Sequence, residues 1–312
     1  MDEPNWCHSR EDEVEEVEEV LPLRDPMTRE IERMDDDERA VALSLDSFLR
    51  SSGQPVDGKD ADDDDLTYPT ISDWTGRHPD RAGWYRCGHR HYEEGVDATV
   101  DGMLGGFARI TGTDLDGSAR FIRDVKRRIR PELRLTAEEN GGRPTVACEC
   151  GAGIGRVTKG LLLPVLGMTR CDLVETSGKL LSEAPSYLGE DVASRCRFLR
   201  SGLQDFEPAA DSYDLVWVQW VIGYLRDADL VKFLRRCGDA LREGGVLVIK
   251  DNVCDDVAFV ADRDDASKTR SLPYIRAIAD LAGLSVVHEE VQGDFPSEIF
   301  PVPMIALEKK RS

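Results

Sequence analysis

The stretch TVACECGAGIGRVTKGLLLPVL (145–166) decides the fold. A short apolar run comes first, glycines follow at 151, 153 and 155, and apolar residues at helical spacing then continue until Pro164. That order reads as strand, tight turn and helix, the unit from which parallel sheets are assembled. The pattern repeats outward from it. CDLVE (171–175), CRFLRSG (196–202), DLVWVQW (214–220) and GVLVIKDN (245–252) read as strands, and SGKLLSEAPSYL (177–188) and DADLVKFLRRCGDAL (227–241) as intervening helices. The tail adds a helix near LPYIRAIADLAG (272–283) and two strands, LSVVHEEVQ (284–292) and PVPMIALEK (301–309). One doubly wound α/β domain, its parallel run closed by a hairpin, is the expected fold.

Charge divides the chain unevenly. Of 61 acidic and 40 basic residues in 312, giving a net charge of −21, residues 1–65 hold 23 and 7. EDEVEEVEEV (11–20), MDDDE (34–38) and DGKDADDDD (57–65) leave little apolar surface to offset chain entropy. Residues 1–80 are therefore expected to be an acidic, largely disordered extension, with ERAVALSLDSFLR (38–50) able to form a short amphipathic helix, and residues 81–312 to be the folded domain. Acidity disfavours direct nucleic-acid binding, because carboxylates repel the phosphate backbone, and favours a basic partner. The sequence has no apolar run of membrane-spanning length and no secretory core at its start, so an intracellular protein without a membrane contact is expected. The eight cysteines are scattered and are expected as reduced thiols; Cys148 and Cys150 lack the second pair that a metal site requires, so no metal is expected.

In a doubly wound sheet, ligands lie beyond the carboxyl ends of the strands, and the first glycine turn permits the closest backbone approach. Glu175, at the tip of the second strand, stands where an acid that grips ribose hydroxyls is expected. A nicotinamide dinucleotide would call for a third glycine at position 156. Arginine occupies it, and Arg156 is suited to a carboxylate such as the methionine end of S-adenosylmethionine. Gly202-Leu203-Gln204-Asp205-Phe206 and Gln219-Trp220 fall on the same edge of the sheet.

Taken together, TVDGMLGGF (99–107), ECGAGIGRVTKGLLLP (149–164), GLQDF (202–206), YDLVWVQWVIGYL (213–225) and VIKDN (248–252) resemble the eukaryotic protein α-N-terminal methyltransferases over roughly residues 84–310. The resemblance implies a Rossmann-like class I methyltransferase fold with a mostly parallel seven-stranded sheet. It implies S-adenosyl-L-methionine as methyl donor and S-adenosyl-L-homocysteine as product. Proteins with free Xaa-Pro-Lys or Xaa-Pro-Arg N-termini are the substrates it implies, and the cytoplasm or nucleus the compartment. VKRRIR (125–130) reads as one face of a helix rather than an import signal.

Carried over by position, the resemblance puts Gly151, Arg156, Glu175, Thr176, Ser177, Leu203, Gln204 and Gln219 around the cofactor. Leu104, Gly105, Phe107, Trp220, Tyr224, Ile299 and Phe300 fall along the substrate channel. Asn252, Asp262 and Asp265 fall at the polar catalytic and lysine-reading positions, with Asp264 competing with Asp265 across a one-residue insertion. This chain departs from the family at Tyr224, where many members have His, and at Phe300, where they have Tyr. A Trp that covers the cofactor is either represented by Tyr92 or missing. A small-molecule or internal-lysine methyltransferase and a noncatalytic binding module are the alternative readings, and Asp262 and Asp265 speak against the first.

Overall fold

In the computed structural model, which describes residues 26–310 apart from positions 64 and 79 and side chains from residue 36 onward, the first element is a long helix, α1 (Pro26–Ser51). Ala42, Leu45 and Leu49 recur at three- and four-residue steps and are fully buried, whereas Leu43 and Phe48 face outward. Two short antiparallel strands follow, β1 (Gly58–Asp60) and β2 (Thr67–Tyr68), then α2 (Ile71–Arg77), α3 (Arg81–Arg90) running into a π-helical turn at His91–Gly95, α4 (Val100–Met103) and α5 (Thr111–Asp124). Thr70, Asp80 and Thr99 cap α2, α3 and α4 with side-chain oxygens.

The sheet begins with β3 (Val146–Cys150) and β4 (Arg170–Glu175), continues through α6 (Gly178–Leu188), α7 (Glu190–Ala193) and β5 (Cys196–Arg200), and reaches β6 (Tyr213–Gln219), α8 (Asp227–Ala240) and β7 (Leu241–Lys250). A hairpin of β8 (Phe259–Asp262) and β9 (Ser267–Arg270) precedes α9 (Leu272–Leu281), β10 (Leu284–Val291) and β11 (Pro303–Lys309). Seven strands lie in the order β10-β11-β7-β6-β3-β4-β5. β5 to β7 are parallel with β3 and β4 among them, and β11 and β10 close the far side antiparallel, as expected. Every residue of β6 is buried, as a central strand covered on both faces requires, while β5 at the edge carries the exposed Arg197 and Arg200.

Each face has its own core. Val216, Val218, Leu247 and Ile249 meet α8 and α9 on one side; Leu215, Trp217, Val246 and Val248 meet Phe121, Ile122, Leu161 and Leu162 on the other. The helix expected after the glycine turn is short, and Thr158–Leu162 is a π-helical turn that ends before Pro164.

The expectation of a largely disordered extension to residue 80 is corrected where the chain is described. Residues 1–25 lie outside the described residues, but 36–77 are packed into the domain. Glu38 accepts hydrogen bonds from the Asp227 and Ala228 amides at the start of α8, at 3.1 and 2.9 Å, and Asp46 does the same for Ile71 and Ser72 in α2. Trp74, fully buried, stands edge-on both to Trp84, with ring centroids 5.5 Å apart, and to Phe259. Acidic side chains that compose as a solvated tail are thus partly consumed as caps and ion pairs. β1 and β2 also join the hairpin in a second sheet, ordered β2-β1-β8-β9.

The seven described cysteines are free, and among the described residues no group of His, Cys, Asp or Glu has metal-binding geometry. No described helix is long and apolar enough to cross a membrane.

Candidate active site

A cleft of about 1130 Å³, counting its open mouth, crosses the carboxyl ends of β3 to β6 and is roofed by α3, its π-helical turn and the Met103–Leu104 segment. The strand order sets its polarity. Glu175, Thr176 and Gly202–Gln204 line the end above β4 and β5, and Gln219, Trp220 and Tyr224 line the end above β6.

The glycine turn forms the floor between them. Gly151 has φ of 69°, and a Cβ there would come within 2.6 Å of the Val221 side chain, so only glycine lets the backbone turn under the cleft. The amide of Gly153 donates to Glu175 at 2.9 Å and that of Ser177 donates to its other oxygen at 2.8 Å. Burial nevertheless holds the Glu175 carboxyl above its ordinary pKa. Two backbone donors fix this carboxylate and leave it acceptor capacity toward the cleft.

Arg156 is buried and pairs with Asp114 of α5 at 2.8 Å, and the fully buried Lys250 pairs with the same carboxylate at 2.5 Å. Burial pushes the Asp114 carboxyl up, but the two cations prevail and hold it below the usual range. The cluster carries one more positive than negative charge beside the cleft, which suits a ligand carboxylate. Gln219 donates to both Asp114 oxygens, at 2.9 and 3.1 Å, and accepts from Trp217 Nε1 at 2.9 Å, so its amide buttresses Asp114. The residues present fit S-adenosylmethionine: an acid for ribose hydroxyls, a positive cluster for the methionine carboxylate, and a backbone turn without a Cβ.

The β6 end is built differently. Trp220 has φ of 51°, a strained value for a non-glycine residue, held by its amide donating to the Lys250 carbonyl and by Asp251 accepting from the next two amides, Val221 and Ile222. That turn swings the indole toward Phe295 and brings Arg156 over its ring at 5.4 Å. Burial pushes the Asp251 carboxyl up to about 6. Beyond the turn, Trp84 Nε1 donates to the Tyr224 carbonyl at 2.8 Å, and the Tyr224 hydroxyl meets both the Tyr92 hydroxyl, at 2.8 Å, and Asp265 Oδ2, at 3.1 Å. Burial drives the Tyr92 phenol up to about 12 and raises the Asp265 carboxyl as well. Both phenols therefore stay neutral, and the buried Asp265 carboxyl holds a proton more readily than an exposed aspartate would.

Ten of the residues singled out from sequence converge here: Leu104, Gly151, Arg156, Glu175, Thr176, Leu203, Gln204, Gln219, Trp220 and Tyr224 line the cleft, and Asp265 joins them through Tyr224. The remaining ones do not line it, although the Ser177 amide holds Glu175 in place. The Ser177 hydroxyl caps α6 and donates to Glu93 at 2.7 Å. Asp262 shapes its own turn by accepting from the Asp264 amide at 2.9 Å. Gly105, Phe107, Asn252, Ile299 and Phe300 are not among the lining residues, and Phe300 is exposed. Asp264 is exposed too, which separates it from Asp265. Trp84, Tyr85, His89, Asp114 and Lys250 belong to the site or its supports without having been singled out. A helical reading of TGTDLDGSARFI (111–122) exposes the signal for Asp114, which shares a face with Ser118, Phe121 and Ile122.

Known proteins share this architecture. A family model described as AdoMet-dependent proline di-methyltransferase matches residues 80–308. N-terminal Xaa-Pro-Lys N-methyltransferase 1 of Xenopus tropicalis is 43% identical over 228 residues, 73% of this chain and 96% of the relative. Its Danio rerio counterpart is 42% identical over 218 residues, 70% and 92% of the two chains. Among solved structures, a S-adenosylmethionine-dependent methyltransferase from Leishmania major superposes with a TM-score of 0.70 at 31% identity, covering 81% of this chain and 96% of that one.

Proposed function

This chain belongs to the AdoMet-dependent proline dimethyltransferase family, and from that premise we propose that it methylates the free α-amino group of proteins beginning Xaa-Pro-Lys or Xaa-Pro-Arg. The observation that carries the reading is the arrangement of the cleft. An acid at the end of β4 and a positive cluster of Arg156 and Lys250 on Asp114 suit the donor, and beside them at the β6 end stands a neutral phenol backed by a carboxylate.

S-adenosylmethionine supplies an electrophilic methyl group on its sulfonium. The acceptor nitrogen must present a lone pair, and an α-amine with a pKa near ~8 is about a tenth neutral at pH 7. Modest assistance suffices. Asp265, raised by burial, accepts the amine proton directly or through water, while Tyr224 fixes the orientation of the carboxylate. Positioning contributes more, because Trp220 and Leu104 wall the space in which the nitrogen meets the methyl group. Proline at the second position offers no N–H to be buried unpaired between those apolar walls, and a third-position Lys or Arg suits the acidic turn at Asp262–Asp265. The net charge of −21 supports a basic polypeptide over nucleic acid as partner.

Mass spectrometry on two peptides tests the reading, one beginning Ser-Pro-Lys and the other its N-acetylated twin. Methylation of the first alone is expected; equal methylation of both would move the target to a side chain, and of neither would exclude this substrate class.

A further inference from the structure

The turn that carries Asp262 and Asp265 is not part of the main sheet. It joins β8 to β9, and a two-stranded hairpin by itself is at best marginally stable in water. Here the N-terminal segment completes it. β1 pairs in parallel with β8, matching Gly58 to Phe259, Lys59 to Val260 and Asp60 to Ala261. The ladder is extended on both sides, by the Ala258 amide donating to the Asp57 carbonyl at 2.7 Å and the Ala61 amide to the Ala261 carbonyl at 2.8 Å. It thus runs to the residue immediately before Asp262. Contact is close enough that a Cβ on Gly58 would fall 2.3 Å from the Phe259 ring.

At the end of the ladder stands Asp60, 1% exposed, whose carboxylate pairs with Arg263, the first residue of the turn, at 2.8 Å. The opposite edge of the hairpin is held as well. Lys268 and Arg270 of β9 both pair with the buried Asp227, and the Lys268 ammonium sits 3.7 Å over the Trp74 ring of α2. All these contacts converge on a turn whose Asp265 reaches Tyr224 in the cleft. Asp227 belongs to α8, but the other residues that hold the hairpin, Asp57 to Ala61 and Trp74, precede the family-matched region at 80–308.

We infer that the N-terminal segment is a brace for the substrate-facing hairpin, with Asp60 as a positioning residue that sets the acidic turn against the cleft. The inference rests on the substrate reading above for its kinetic consequence, though not for its structural one. Asp60 touches neither substrate nor cofactor. Its carboxylate acts through Arg263 and the β8 backbone, and it controls where Asp262 and Asp265 stand.

Asp60→Asn keeps the shape of the side chain and removes its charge. For a Ser-Pro-Lys peptide the variant is expected to lose about tenfold in kcat/KM, with the advantage of Lys over Gln at the third position reduced, and to bind S-adenosylhomocysteine as tightly as the unmodified protein. Arg263→Gln, at a more exposed position, should give the same pattern should Asp60→Asn fold poorly, and Asp60→Glu should recover most of the loss. Hydrogen exchange at residues 261–267, which needs no substrate, should quicken in Asp60→Asn while exchange in β3 and β6 is unchanged. Unchanged exchange in that turn would overturn the brace, as would loss of cofactor binding in step with peptide activity. Failure of the unmodified protein on the peptide would overturn the substrate reading alone, since the exchange measurement still decides the brace.

Discussion

The Tyr224 hydroxyl donates its only proton to Asp265, 3.1 Å away, so the Tyr92 hydroxyl, 2.8 Å from it, must be the donor in their own contact. The result is a directed chain, Tyr92 to Tyr224 to Asp265, running from the roof of the cleft to the hairpin turn. At Tyr224 this chain has a donor that stays neutral across the physiological range, because burial raises the phenol well above its ordinary pKa.

Tyr224→Phe removes the donor and leaves Asp265 with a poorer hold on its negative form. The hydrogen bond from Tyr224 favours the carboxylate, so its loss raises the Asp265 pKa. Turnover should fall by about tenfold or more, with the low-pH limb of the rate profile displaced upward. S-adenosylhomocysteine affinity should not change. A pH series of kcat/KM on the Ser-Pro-Lys peptide, with calorimetric titration of the product, checks all three.

Arg156 and Asp114 should respond differently to neutralisation although they touch each other. Arg156→Met takes away the positive charge proposed to meet the methionine carboxylate but leaves Asp114 paired with Lys250, so the fold survives. Cofactor-product affinity should drop by about 1.5–3 kcal/mol, seen by calorimetry. Asp114→Asn instead leaves two buried cations without a counter-charge and should cost about 3–5 kcal/mol of stability by urea denaturation.

How much of this the sequence displays depends on the length scale of the signal. The strands around Leu173 and Val216 announce themselves as local apolar runs, and the glycine turn announces the cofactor edge. For Asp114 a local reading shows only its place on the buried face of α5, not its role, because its partners Arg156, Gln219 and Lys250 lie 42 to 136 residues away and only the sheet brings them together. The extension misleads for a related reason. Ala42, Leu45, Leu49 and Trp74 are few, and the acidic residues between them compose as a tail, yet Glu38, Asp46 and Asp60 each have a buried role that no local pattern shows. Exposed acids repel one another and favour disorder; buried ones that cap helices and pair with Arg oppose it.

Removing residues 1–77 should therefore unfold the protein rather than trim it. The deletion strips Glu38 from the start of α8, β1 from β8, and Trp74 from beneath Lys268. Trp74→Ala alone should cost about 3–5 kcal/mol, since a fully buried indole is lost and its cavity remains. Chemical denaturation measures it; a change below about 1 kcal/mol, the level of an ordinary surface substitution, would mean that α2 is peripheral.

His78 gives the same region a pH signature. It is buried beside Trp74 and within 3.3 Å of the Tyr68 hydroxyl, and burial, together with the charges of Arg226, Lys268, Arg263 and Arg77, lowers its pKa from 6.5 to about 4. Because the folded value lies below the unfolded one, the neutral ring's contribution is complete above pH 6.5. It is lost as pH falls toward 4, where the unfolded chain takes up a proton that the folded chain refuses. Glu149, raised to about 7 by burial, runs the other way, its contribution fading as pH rises through 7, so the raw stability curve mixes the two. Comparison with His78→Gln isolates the imidazole. The stability difference between the two proteins in urea should shift by about 2 kcal/mol against the unmodified chain between pH 8 and pH 5. A difference that stays constant over that range would show that the ring is protonated without penalty, and hence that residues 68–78 are open to water.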